Sequence, residues 1–189
     1  MSSETLPVAE VLRDLADGLD AIGSRWFLFG AQAAIVYGVS RLTADVDITV
    51  DLGVRPTAEL LTALSGRGFR LRVADIGGFV ESTRVLPLLH ERTEIPVDVV
   101  LAGPGLEEMF FERVTMRQVG HTTIPVAAPE DVIAMKILAG RPRDLEDAET
   151  MIRSGRGSLD LGVARRTLEL LERALDRADL VRELDRLAR

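Results

Sequence analysis

Residues 41–51 read Arg41-Leu42-Thr43-Ala44-Asp45-Val46-Asp47-Ile48-Thr49-Val50-Asp51. From Asp45 to Asp51, polar positions alternate with Val46, Ile48 and Val50. A period of two predicts a strand with one wet face and one buried face. Asp45 and Asp47 then leave the same face, about 7 Å apart at their Cα atoms. No basic residue stands between them, so the pair concentrates negative charge that suits a positive partner. Hard divalent cations such as Mg²⁺ prefer oxygen ligands. Taken alone, an Asp-x-Asp equally fits an edge strand whose acids are simply solvated.

The neighbouring segments narrow the choice. Upstream, Trp26-Phe27-Leu28-Phe29 reads as a short buried strand stopped by Gly30, and Ala31–Tyr37 as a helix closed by Gly38. Backbone N–H groups at a helix start favour phosphate, and glycine lets it approach closely. Downstream, Ile95–Leu101 is an aliphatic strand interrupted by Asp98. A carboxylate there is costly unless it is paired or binds metal. A glycine turn, a paired-acid strand and a third strand acid together fit two-metal phosphoryl or nucleotidyl transfer.

The remaining segments predict an α+β chain. Val8–Ile22 has helical spacing after Pro7. Pro56 opens a helix through Leu64, and Phe69–Val73 reads as a strand. Gly77-Gly78 marks a loop or bend, followed by a strand over Thr83–Glu91. Gly103-Pro104-Gly105 is a turn before a short helix near Leu106–Glu112. Val114–Val119 and Thr122–Ala127 flank Gly120-His121 as a hairpin. From Pro129 onward the pattern is helical, with breaks at Gly140 and at 154–158. Strands crowd residues 26–127, so a mixed or antiparallel sheet core at 1–127 precedes a helical part at 128–189.

Composition excludes several classes. The chain has 189 residues, 47% hydrophobic and 28% charged, which supports one packed domain rather than disorder. No run of about 18 uncharged apolar residues exists, so no membrane partner is expected, and no secretory signal is visible at the start. The absence of cysteine excludes thiolate metal sites and thiol nucleophiles and agrees with a reducing cytoplasm. A net charge of −7 opposes broad non-specific nucleic-acid binding. Arg67, Arg70 and Arg72 nevertheless form a local basic patch. Of the 23 basic residues only Lys136 is a lysine. A compact ammonium on a flexible stem can follow a moving phosphate. Asp144 and Asp147 share a helix face and can pair with Arg141 or Arg143. His90 and His121 lie far in sequence from the acids and are expected at the surface. A calcium loop beginning at Asp45 fails because Val50 and Pro56 occupy its glycine and glutamate positions.

Phe29-Gly30-Ala31, then thirteen residues, then Asp45-Val46-Asp47, with Val97-Asp98-Val99 later, resembles the DNA polymerase β-like nucleotidyltransferase superfamily. The string Arg41–Asp47 and Pro129–Lys136 running into Arg141–Asp147 is similar to the AbiEii-type branch, the toxin nucleotidyltransferases of toxin–antitoxin systems. The resemblance spans residues 28–147. It implies Mg²⁺ or Mn²⁺ held by Asp45, Asp47 and Asp98, with Asp98 helping to deprotonate the acceptor. It implies an NTP held by Gly30, Ala31, Arg41, Thr43, Lys136 and Asp144, with Asp147 nearby. The implied reaction moves a nucleoside monophosphate to a hydroxyl of RNA such as tRNA, or of a protein, with a cognate antitoxin as a partner. The same acids would serve transfer to a small molecule of the antibiotic type. Ala31 stands where the family usually has Gly or Ser, which leaves room for a non-catalytic module of the same fold.

Overall fold

The computed structural model describes residues 6–43, 45–73, 76–103 and 105–189. Ala44 of the acid-bearing string and Pro104 of the expected turn lie outside the described residues. The elements run α1 (Pro7–Ala21), β1 (Arg25–Phe29), α2 (Gly30–Val36), β2 (Val46–Asp51), α3 (Thr57–Ser65), β3 (Phe69–Leu71), α4 (Ile76–Thr83), β4 (Val85–His90) and β5 (Ile95–Leu101). They continue with α5 (Leu106–Arg113), β6 (Thr115–Val119), β7 (Thr122–Val126), α6 (Pro129–Ala139), α7 (Pro142–Ser154), α8 (Leu161–Leu175) and α9 (Leu180–Leu187).

One mixed seven-stranded sheet has the order β3-β4-β5-β2-β1-β7-β6. β2 runs antiparallel to β1 and parallel to β5, while β4 runs antiparallel to β5 and β3 antiparallel to β4. Residues directly opposite on paired strands share a face. Val46, Ile48, Val50, Val97 and Val99 are fully buried on one face. The aspartates of β2 and β5 therefore stand on the other.

Two expectations are corrected. Gly77-Gly78 does not form a bend; it lies inside α4. Ile76, Phe79, Val80 and Thr83 recur at helical spacing, and Ile76 and Val80 pack against the core. That stripe outweighs the glycine pair, whose helix penalty is only about 1 kcal/mol per residue. The helix also takes Thr83 from the expected strand, so β4 begins at Val85. His90 is not at the surface: it is 1% exposed, with Nδ1 2.8 Å from Thr93 Oγ1 and Nε2 3.2 Å from Asp14. It continues the inward period of Leu86 and Leu88 on β4.

The helical part after β7 packs on the same core. Pro129 occupies the first turn of α6, and left-handed Gly140 ends it with its N–H donating to the Lys136 carbonyl. Pro142 restarts the chain as α7 two residues later, which makes a tight corner at Arg141. Asp131 on α6 is fully buried and receives Nε and Nη2 of Arg113 at 3.0 and 2.6 Å. No helix among the described residues is long and apolar enough to cross a membrane.

Candidate active site

A cleft of about 670 Å³ opens between the end of the sheet and the α6–α7 corner, lined by Gly30, Ala31, Arg41, Thr43, Asp45, Asp47, Lys136 and Asp144 among others. Every residue expected to hold the nucleotide, and two of the three acids, line this one space. The third acid follows from register. Phe29 pairs with Asp47 across β1–β2, and Asp47 pairs with Asp98 across β2–β5. Asp98 therefore stands beside Asp47, on the same face. Asp45 precedes β2 rather than belonging to it, and accepts a short hydrogen bond from Thr43 Oγ1.

Gly30 sets the height of Asp47. Its φ is +68°, and a Cβ there would lie 2.2 Å from Asp47 Oδ2. A left-handed conformation and a close approach both demand glycine at this position. The carboxylate of Asp47 thus lies directly against the start of α2, half-buried. Among the described residues its side chain takes no hydrogen bond or ion pair. Burial, reinforced by the charges of Asp45 and Asp98, pushes Asp47 up to about 6, against weaker opposing fields from Lys136 and Arg141.

The opposite wall is cationic. Lys136 Nζ donates to Asp144 at 2.8 Å and Asp147 at 2.7 Å; Arg41 reaches the same Asp147 oxygen at 2.6 Å, and Arg141 reaches Asp144 at 2.5 Å. Three cations thus hold two carboxylates. Burial raises Asp144, but hydrogen bonds from Lys136 and Arg141 prevail and hold it below the ordinary carboxylate range. Lys136 is 4% exposed and locked by its two acids, not the mobile ammonium that its place in the sequence suggests. Its compact ammonium donates to both acids at once. Arg143 lines the cleft without an ion pair among the described residues.

The basic patch expected at Arg67, Arg70 and Arg72 is neutralised in place. Arg67 meets Asp17 at 2.8 Å, Arg70 meets Glu91 at 3.6 Å, and Arg72 meets Asp98 itself. The last contact escaped sequence reasoning; the only signal for it was the period-two spacing of Arg70 and Arg72 beside a strand.

The site supplies only oxygen donors on its acidic side, and Asp47 keeps its oxygens without a protein partner. That donor set fits a hard divalent cation. Among the described residues, the group of three whose ligand atoms all fall within 4.8 Å is instead Glu10, Asp14 and His90. Arg92 already bridges Glu10 and Asp14, and Arg13 adds a second guanidinium on Asp14. These acids have their counter-ions, and the cluster reads as a buried structural network on the opposite face of the sheet.

No protein-family model matches the sequence, and no curated protein is similar to it. Solved structures do resemble the fold. The antibiotic-resistance factor ANT(2'')-Ia aligns over 89% of this chain and 93% of its own, with a TM-score of 0.60 and 13% identity. An antigenic nucleotidyltransferase-like protein from Paracoccidioides brasiliensis aligns over 98% and 94%, with a TM-score of 0.55 and 20% identity. The lincosamide antibiotic adenylyltransferase LnuA aligns over 75% and 96%, with a TM-score of 0.51 and 14% identity. The mixed sheet with its flanking helices matches the fold of these nucleotidyltransferase structures.

Proposed function

We propose that this chain is a Mg²⁺- or Mn²⁺-dependent nucleotidyltransferase that moves a nucleoside monophosphate from an NTP to an acceptor hydroxyl. The observation that carries this reading is the polarity of the cleft. Clustered carboxylates, one of them unpaired and pushed up to about 6, face a wall of excess positive charge. A metal–triphosphate complex, cationic at one edge and anionic at the other, complements both walls.

In this reading Asp45, Asp47 and Asp98 hold the metal, which when bound neutralises the phosphates and polarises the α-phosphorus. Gly30 and the backbone at Ala31 lie against the phosphates; the absent side-chain hydroxyl at position 31 removes one donor but no backbone N–H. Arg41, Arg141 and Arg143 face the triphosphate, and Thr43 fixes Asp45. Lys136 with Asp144 positions the α6–α7 corner beside the nucleotide. The acceptor oxygen attacks the α-phosphorus, its proton passes to Asp98, the bond to the β-phosphate oxygen breaks, and pyrophosphate leaves. The helical part at 128–189 closes the nucleotide site against the core at 1–127.

The resemblance of Arg41–Asp47 and Pro129–Asp147 to AbiEii-type toxins supports a toxin role with a cognate antitoxin and an RNA or protein acceptor. Incubation with α-labelled NTPs, Mg²⁺ and bulk tRNA tests the reaction, with Asp47→Ala as control. Label transfer by the wild type and not by the control is expected. A wild type that neither transfers label nor binds any nucleotide overturns the proposal and leaves a non-catalytic module.

A further inference from the structure

Arg72 lies on the side of Asp98 away from Asp45 and Asp47. The row Phe29–Asp47–Asp98 continues across β4 to Pro87, the partner of Asp98, and the Arg72 N–H donates to the Pro87 carbonyl at 2.9 Å. The row therefore reads acid, acid, proline, arginine across four neighbouring segments. Arg72 is also held at its head: Nε donates to the Leu88 carbonyl at 3.0 Å while Nη2 meets Asp98 Oδ1. Two of the five guanidinium N–H donors are engaged in these bonds. The side chain remains 35% exposed, and the other three donors have no partner among the described residues. Arg70 stands on the same face one pleat away, opposite Leu89, which pairs with Pro96. Its ion pair with Glu91 is 3.6 Å long and more than half exposed on both sides, so it is weak and easily exchanged.

On the proposed function, which this inference rests upon, the acceptor hydroxyl must reach Asp98 from the side not filled by the NTP. That side is where Arg72 sits. We infer that Arg72 is an acceptor-specificity residue, and that the acceptor is a polynucleotide end with a phosphate one sugar away from the attacking hydroxyl. A guanidinium with free, forked donors suits a phosphate oxygen pair. By balancing Asp98, Arg72 removes the negative charge that would draw a polycationic small molecule to this point. Charge at this position thus favours RNA over an aminoglycoside-type acceptor on the shared fold.

The test uses the full chain with Mg²⁺ and ATP, a fluorescein-labelled single-stranded RNA carrying a free 3′-hydroxyl, and tobramycin as the cationic probe. Anisotropy across a salt series compares the wild type with Arg72→Gln and Arg72→Lys; Arg72→Met stands in if the Gln variant fails to fold. The Gln or Met variant is expected to bind the RNA about 5–10-fold more weakly, with the log–log salt slope shallower by about 0.7, the loss of one single-strand phosphate contact. The Lys variant should keep the slope, and the wild type should not adenylylate tobramycin. Wild-type RNA affinity and slope in the Gln variant overturn the inference, as does label on tobramycin or on protein in place of RNA. Binding of ATP is measured separately: its absence in the wild type fails the proposed function, while its presence with an unaffected Gln variant fails only the role of Arg72.

Discussion

Replacing Gly30 with alanine should damage the fold and the site through one pair of atoms. Two effects combine. Alanine at φ +68° carries the left-handed penalty, about 1–2 kcal/mol. The new Cβ would also sit 2.2 Å from Asp47 Oδ2 and 3.0 Å from its Cγ. Relieving such an overlap costs about 1–3 kcal/mol in a packed setting. The expected loss is therefore about 2–5 kcal/mol, or a fall in Tm of roughly 5–15 °C for a chain of this size. A double-mutant cycle separates the two parts. In an Asp47→Ala background the carboxylate is gone and only a tight contact with the remaining Cβ, at 3.1 Å, adds to the backbone part, so most of the clash should appear as a coupling of about 1–3 kcal/mol. Urea unfolding of the four proteins without metal measures it, and Mn²⁺ binding should weaken in the Gly30→Ala single variant as well as in the two proteins that lack the Asp47 carboxylate. A coupling near zero, or a Gly30→Ala variant as stable as the wild type, would refute the idea that this glycine exists to seat Asp47.

Asp47 itself should destabilise the metal-free fold at neutral pH. Its folded value of about 6 exceeds its ordinary 3.8, so the protonated form is favoured by folding, and that stability is present below 3.8 and lost as pH rises through 6. Asp47→Asn should match the wild type near pH 3.5 and exceed it by about 1–3 kcal/mol at pH 8, screening included; thermal melts across pH check this, and equal stability at pH 8 counts against it. Divalent affinity should fall as pH drops below about 6 because protons compete for Asp47, which Mn²⁺ titration at pH 5 and pH 7.5 reads directly. Lys136→Met should cost about 3–5 kcal/mol by leaving buried Asp144 and Asp147 short of a cation, seen as a lowered urea midpoint. Arg113→Met should do the same to fully buried Asp131, again by about 3–5 kcal/mol.

Much of this arrangement was legible along the chain because it is local. The alternation through Asp51 pointed to the strand and to the common face of Asp47 and Asp51, though Asp45 falls just before it, and the lone Asp98 stood out against six aliphatic or proline neighbours. Pro129, Gly140 and Pro142 punctuated α6 and α7 by backbone chemistry alone. What was not legible depends on partners distant in sequence. His90 looked solvent-facing until Asp14, 76 positions earlier, was placed beside it. Lys136 looked free until α7 folded Asp144 and Asp147 onto it. Arg72 looked like part of a basic patch, and only the sheet order brings it to Asp98. The α4 helix was hidden for the opposite reason: a strong local signal, Gly77-Gly78, masked a weak apolar stripe.

The central claim is that Asp45, Asp47 and Asp98 together hold a divalent cation that brings a nucleoside triphosphate to the cleft. Calorimetric titration of ATP into the protein, with Mg²⁺ or with EDTA, tests it in the wild type and in Asp45→Asn, Asp47→Asn and Asp98→Asn. Binding that appears only with the cation, and that each substitution weakens while the fold persists, is the predicted result. ATP binding that is equally strong with EDTA, or untouched by all three substitutions, would contradict it.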